Sequence, residues 1–381
     1  ISVNAVGGVD VVIRNEDDDK YQALAPYNDK YQGYEYSNCY VITKEMIRNK
    51  LEGHYSGFFF RAYVPGRGSR GDIAGDPYPA DYKLEPAFVK IYTQSQNKPL
   101  EHCELIQGYV RFNLDGRTCI NPDGTVNMYP GNSLIAAYDE NDNIIWTWHI
   151  WVVDELNEYT VNGVKVLDRN LGATSATPGD IGALGLLYQW GRKDPFIGSS
   201  STSRCERAKS TIAFPASVKS TSANGTIEYA IAHPTTFISD NSYNGDWCYT
   251  GTSLTDNTRW TESDKTKSIS DPCPVGWRVP DGGENGVWKK AGFEDIQYDN
   301  TNNGGYFKIS SPLTSWYPVT GLLWLNDGSI QHYDTGYYWS ATPDASYTQL
   351  IRTLSISEWQ IGTFMQCRAE GFAVRCLKDA K

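Results

Sequence analysis

The sequence predicts a mainly β protein, in which a sandwich of short strands precedes a mixed α+β unit with two short helices and long loops. Three observations predict it. Between residues 36 and 155, brief apolar runs alternate with turn-forming clusters, the pattern of an all-β sandwich. After residue 156 the strand-like runs continue, but two amphipathic stretches and a long polar segment interrupt them. The composition suits sheets as well: 12 Trp and 26 Tyr stand against 12 Phe and 3 Met. Such rings fit a pleated, half-buried surface, and any one of them fills a sheet core more readily than it grips a ligand.

The bulk numbers bound the organisation. A chain of 381 residues is long enough for two or three domains. The reading is a lead-in over 1–35, a β-sandwich over 36–155 and a second unit over 156–381. Hydrophobic residues are 40% and charged residues 21%, so real cores can form. No run approaches the ~18 consecutive apolar residues of a membrane helix. The net charge of −11 argues against nucleic acid and anionic membranes, which demand a basic footprint. Ile1-Ser2-Val3-Asn4 has neither the basic start nor the apolar block of a secretory signal. The chain is therefore read as a trimmed or mature fragment, with signal and anchor outside it.

The first unit is read strand by strand. The lead-in carries an acidic knot, Glu16-Asp17-Asp18-Asp19, read as a solvated loop. Strands are expected at CYVIT (39–43), GFFFRAYV (57–64), AFVKIYT (87–93), CELIQ (103–107), YVRFNL (109–114), SLIAAY (133–138) and IIWTWHIWVV (144–153). Asp115-Gly116, Asn121-Pro122-Asp123-Gly124 and Pro130-Gly131-Asn132 supply turns. In the last strand, period two puts Trp146, Trp148, Ile150 and Val152 on one apolar face. The other face, Ile145, Thr147, His149, Trp151 and Val153, is still largely apolar, so a strand layer or the next domain should cover it. His149 is then a hydrogen-bonded neighbour of Trp151 rather than a metal ligand. Asp139-Glu140-Asn141-Asp142-Asn143 alternates oxygen ligands as a calcium loop does, but Ile144 stands where Gly is required. It is read as a polar hairpin tip.

The second unit opens with the strongest short hairpin signal, Asn162-Gly163 between Tyr159-Thr160-Val161 and Val164-Lys165-Val166. In DIGALGLLYQWGRKDPF (180–196), Leu184, Leu186, Leu187 and Trp190 suit a short amphipathic helix ended by Gly191. Residues 197–270 have long-loop composition, where specificity concentrates. VWKKAGF (287–293) predicts a second short helix, and a strand meander follows with turns at Asn326-Asp327-Gly328 and Pro343-Asp344.

Catalytic constellations are hard to find. His54, His102, His149, His233 and His332 show no zinc spacing, and neither a GxSxG elbow nor a phosphate-cradling loop occurs. A glycosidase pair of carboxylates is not excluded, but nothing points to one. Eight Cys, at 39, 103, 119, 205, 248, 273, 367 and 376, contain no CxxC spacing, which disfavours a Cys-rich zinc site. Their connectivity is not readable from spacing. Cys205–Cys248 is one candidate pair.

In the second half, LDRNLGA (167–173) and YQWGRKDPF (188–196) precede DPCPVGWRVP (271–280), GYYWSAT (336–342) and GFAVRCLKD (371–379). These motifs, over about 158–379, resemble the C-type-lectin-like domain of Bacteroidetes surface and fimbrial proteins, the "major paralogous domain" of the Fibrobacter succinogenes type. Residues 38–155, opening on Asn38-Cys39-Tyr40 and closing on Trp148-His149-Ile150-Trp151, resemble a fimbrillin-like β-sandwich of the same surface proteins. The resemblance implies that Cys273 and Cys376 approach each other. It implies a secreted or surface-anchored, non-enzymatic adhesin, outer-membrane anchored or fimbrial, with the role of a fimbrial tip or accessory subunit. The alternatives are a glycan-capturing lipoprotein of a polysaccharide-uptake system and an enzyme, since formylglycine-generating enzymes share the lectin-like fold.

A calcium-dependent sugar site of the lectin kind would need Trp-Asn-Asp, but Leu325 is inserted between Trp324 and Asn326-Asp327. No metal or cofactor is therefore expected. Metal-free sugar binding needs flat rings flanked by Asn, Asp or Gln. The candidates are Trp247, Tyr249, Trp260, Trp316, Trp324, Asn326, Asp327 and Trp359, with Trp277 and Trp339 assigned to the core. The expected partner is a glycan or a host or bacterial surface protein, together with fimbrial subunits.

Overall fold

A computed structural model describes residues 20–28, 33–62, 64, 84–161, 163–196, 216–240, 244–252, 255–261, 266–284, 286–292, 296–308, 314–332 and 334–379. It is mainly β, with three short α-helices among the described residues. The acidic knot at 16–19 and Cys205 lie outside these residues, as do Asn162 and all of 197–215.

The first half is a sandwich of two four-stranded sheets. One runs Tyr21–Ala23, Gly57–Arg61, Tyr109–Leu114, Leu100–Ile106 in spatial order. The other runs Cys39–Ile42, Ile144–Val152, Gly131–Tyr138, Phe88–Gln94. Each of the seven expected strands has a counterpart. Tyr21–Ala23 was not foreseen: it falls in the segment read as a lead-in, yet pairs in parallel with Gly57–Arg61. Between the sheets lie Phe58, Phe60, Val110 and Phe112 from one side and Trp146, Trp148, Ile150 and Val152 from the other. The Phe60 and Trp148 rings meet edge to face at 5.1 Å. The 139–143 segment is a hairpin tip, in which the Asp139 carboxylate accepts from the backbone N–H groups of Asn141 and Asn143 at 2.8 and 2.9 Å. The helix Lys44–Leu51 was also unforeseen. Thr43 caps it and Lys50 sits in its last turn, but only Ile47 is buried, so its apolar periodicity is faint.

Two small two-stranded sheets, Tyr27–Asn28 with Gly33–Tyr34 and Cys119–Ile120 with Val126–Asn127, accompany the sandwich, and the other sheets are built from residues 158–378. The largest runs Ile330–Gln331, Leu322–Leu323, Gly371–Ala373, Gly336–Pro343, Leu350–Ile356, Ile361–Cys367, with Leu187–Gln189 also on Gly371–Ala373. The 158–167 hairpin forms with Val161 opposite Val164, and Leu377 near the chain end pairs back onto Val166. The half thus closes on itself. Three further strands, Gln297–Asp299, Gly304–Lys308 and Thr314–Pro318, make a small sheet.

The helix expectation succeeds at one place and fails at another. Val287–Ala291 is helical, ended by Gly292 at φ 74°. The 180–191 stretch is instead a 3₁₀ turn, Ile181–Ala183, followed by the strand Leu187–Gln189. Its apolar residues bury alternately, Leu186 and Tyr188 in one core and Leu187 in another. That is period two, not 3.6. Gly185, at φ 74°, supplies the turn. After residue 156 the described residues hold two α-helices, the expected number, but the second is Ile227–Ala232 rather than the 180–191 stretch.

The second face of Ile144–Val152 is covered by the C-terminal half. Trp151 and Val153 share a core with Leu171, Trp190, Cys273 and Val374. Polar residues on that face are satisfied across the join: Lys193 Nζ donates to Thr147 O at 3.0 Å, and Asn132 Nδ2 to Gly172 O at 2.8 Å. Asn132 Oδ1 meets His149 Nε2 at 2.8 Å, and burial pushes the His149 imidazole down to about 3. It is a neutral structural group.

Cys273 and Cys376 form a disulfide spanning 103 residues. Closing so long a loop removes chain entropy from the unfolded state. The double variant Cys273→Ser/Cys376→Ser should lose about 2–5 kcal/mol in urea unfolding, and peptide mapping of unreduced protein should recover the two cysteines in one linked fragment.

Candidate functional site

The aromatic residues of the C-terminal half divide into scaffold and surface. The scaffold is a stack. Trp190 and Trp260 have ring centroids 5.6 Å apart, Trp260 and Trp339 6.4 Å, Trp339 and Phe372 4.1 Å. Each indole N–H finds a backbone carbonyl: Trp190 donates to Ser340 O at 3.0 Å, Trp339 to Tyr188 O at 2.7 Å, Trp260 to Arg192 O at 3.0 Å and Trp247 to Trp190 O at 2.7 Å. Two buried guanidinium groups cover the stack. Arg259 lies 4.9 Å from the Trp190 ring and 5.0 Å from Trp247, and Arg368 lies 4.3 Å from Trp190. Asp246 pairs with Arg259.

Three expected ligand-binding residues are thereby corrected. Trp247, Trp260 and Trp316 are 1%, 0% and 4% exposed. Trp247 and Trp260 come from loop-like sequence but are drawn into the stack. Trp316 lies in the Thr314–Pro318 strand with its ring 4.6 Å from Tyr306. None presents a face to solvent. Cys248, proposed as a partner of Cys205, is buried against Trp247 and Ala369, while Cys205 falls outside the described residues.

Trp324, Asn326, Asp327, Tyr249 and Trp359 do reach the surface, in different degrees. Tyr249 is half-buried beside Gly225. Trp359 is 75% exposed at the tip of the hairpin joining Leu350–Ile356 to Ile361–Cys367. Trp324 lies between three and four strand spacings away in the same sheet, roughly 14–19 Å at the usual separation. The two do not belong to one site.

Around Trp324 a cluster does form. Leu323 pairs with Gly371, so the next residues on the two antiparallel chains, Trp324 and Glu370, come side by side. The Trp324 ring is 6.0 Å from the exposed His332 ring, and His332 is 6.1 Å from Tyr337. Tyr337 in turn stacks on Phe372 at 5.0 Å, which ties the cluster to the buried stack. The adjoining turn is held by Asp327, whose carboxylate accepts from Ser329 N at 2.9 Å and Ser329 Oγ at 2.6 Å. Gly328, at φ 74°, closes it, and a Cβ there would strike the Phe237 ring at 2.7 Å. Asn326 is left exposed at the tip.

Glu370 and Tyr337 are the residues that sequence reasoning missed. Glu370 is 4% exposed, and one carboxylate oxygen accepts from Cys367 N at 3.0 Å. Burial pushes its carboxyl up to about 8, so near neutrality it carries a proton and can donate as well as accept. The one hint in the sequence was an acidic residue wedged between Ala369 and the apolar Gly371–Ala373 strand. Among the described residues there is no group of three or more His, Cys, Asp or Glu side chains arranged to hold a metal ion. No family model, no curated protein and no solved structure matches the chain.

Two predictions follow from this division. Trp247→Ala should lose about 3–5 kcal/mol in urea unfolding, whereas Trp359→Ala should stay within about 0.5 kcal/mol of the parent. Glu370 binds its proton more tightly folded than unfolded, so it should make stability fall as pH rises from the ordinary carboxylate range to about 8. Glu370→Gln should flatten that slope, at most about 1.4 kcal/mol per pH unit, and stabilise the protein above pH 8. Melting curves across pH 4–9 would show it.

Proposed function

We propose that this protein is a non-enzymatic recognition protein of the cell surface, an adhesin or glycan-capturing subunit, whose lectin-like half binds a neutral glycan at the Trp324 cluster. The observation that carries the reading is the juxtaposition of Trp324, His332, Tyr337 and Glu370 beside the polar Asn326 tip. A half-exposed indole offers a flat face for sugar C–H groups. The exposed His332 ring and Asn326 amide provide donors and acceptors for sugar hydroxyls, while Tyr337 and Glu370, 9% and 4% exposed, support the cluster from within. A net charge of −11 disfavours anionic ligands. The site rests on a seven-stranded sheet, which restrains its side chains and lowers the ordering cost of binding.

Binding is taken to be independent of calcium, because Asp327 spends its carboxylate on the Ser329 turn. The Cys273–Cys376 bridge supports an oxidising, extracytoplasmic setting. A glycan array run with calcium and with chelator tests the reading. Binding that survives chelator and falls at least tenfold in Trp324→Ala is expected, with the Trp359→Ala variant unchanged. Loss of binding in chelator would overturn the metal-free site, and release of a cleaved sugar would make the protein an enzyme.

A further inference from the structure

A second surface, remote from the Trp324 cluster, lies along the far edge of the same sheet. Ile361–Cys367 is the terminal strand there, and among the described residues nothing pairs with its outer side. Its hairpin is closed by Ser357 N donating to Gln360 O at 2.9 Å. Alternation from that pair, with the register to Leu350–Ile356 unbroken, turns the backbone groups of Phe364 inward and those of Ile361, Thr363 and Met365 outward. Cys367 is already engaged: its N–H goes to Glu370 Oε2 at 3.0 Å and its carbonyl accepts from Glu370 N at 3.3 Å.

Bare edges invite pairing with another chain, and charges or prolines normally blunt them. Among the described residues, three seven-residue strands end sheets. Phe88–Gln94 carries Lys90, and Leu100–Ile106 carries Glu101 and Glu104. From Trp359 to Cys367 there is no charge and no proline. The two most exposed apolar side chains of this region, Trp359 at 75% and Met365 at 39%, flank that bare backbone.

We propose that a second copy of this chain pairs antiparallel with the Ile361–Cys367 edge, joining two large sheets across a two-fold axis at Thr363. The axis brings Ile361 of each copy opposite Met365 of the other, and all three outward-facing residues exchange hydrogen bonds. The absence of charge selects a like partner. In an antiparallel copy a charge near the axis would stand close to its own kind, a destabilising arrangement, and none is there, whereas pairing with a different protein would gain from a charge facing its complement. The same register sets Trp359 of one copy near Cys367 of the other and covers the exposed indole. Such a dimer would present two Trp324 clusters, and a polyvalent glycan would be held with avidity.

Sedimentation velocity over a concentration series tests the proposal. The parent should show a reversible monomer–dimer equilibrium, and Met365→Lys should weaken it at least tenfold with its far-UV circular dichroism and melting unchanged. Thr363→Cys should yield a dimer cross-linked at residue 363 under mild oxidation, identified by peptide mapping. A parent that stays monomeric to millimolar concentration overturns the proposal and leaves the edge to a foreign strand. A dimer indifferent to Met365→Lys and not cross-linked through residue 363 overturns it too. Neither outcome bears on glycan binding by the monomer.

Discussion

Two guanidinium groups buried against one indole hold the C-terminal half in place. Arg259 and Arg368 both lie on Trp190, and a buried cation is costly unless it is paired or hydrogen-bonded. Arg259 takes Asp246. Arg368 reaches Gln349 O at 3.1 Å, Asp256 O at 2.6 Å and Thr348 O at 2.5 Å. Removing any of these acceptors would strand a charge in an apolar stack. The segments around 246, 256 and 348 are therefore fixed by electrostatics rather than by regular secondary structure. Gln189 does the same for Phe237–Ser239, bonding Ile238 in both directions at 2.8 and 3.2 Å.

That core also explains how the two halves meet. Ile144–Val152 is apolar on both faces, and a strand of that kind needs cover on both. One face closes the sandwich. The other is met by Trp190, Leu171 and the disulfide-bonded Cys273. Lys193, next to Arg192, reaches Thr147 across the join, and burial pushes its ammonium down to about 8. The segment from Trp190 to Asp194 thus serves the stack, the helix Ile227–Ala232 and the sandwich together. Arg192 alone donates to Ala230, His233, Pro234 and Thr236 carbonyls.

The surface cluster inherits its geometry from this interior. Phe372 stacks Trp339 on one side and Tyr337 on the other, so the outermost rings continue an ordered column. Glu370 lies at the start of the same strand. Its raised carboxyl reflects shelter by that column with a single backbone N–H as compensation, an environment that makes it a neutral hydrogen-bonding group at the base of the Trp324 cluster.

Alternation and turn chemistry are local, and the sequence displays them: the strands from Cys39 to Val152, the hairpin after Val161 and the short helix ended by Gly292 are all legible there. So is the need to cover both faces of Ile144–Val152. Non-local decisions are not. Trp247 and Trp260 sit in polar, loop-like sequence, and only the convergence of Arg259 and Arg368 on Trp190 makes them core. Leu184 to Trp190 suits a helix until Gly371–Ala373 offers a ladder and makes Leu187–Gln189 a strand, because a short apolar run does not declare its period. Glu370 is one acidic residue among many until the pairing of Leu323 with Gly371 sets it beside Trp324 and the fold removes its water. Which aromatic ring faces solvent was decided by partners far away in the chain, and such partners leave no local trace.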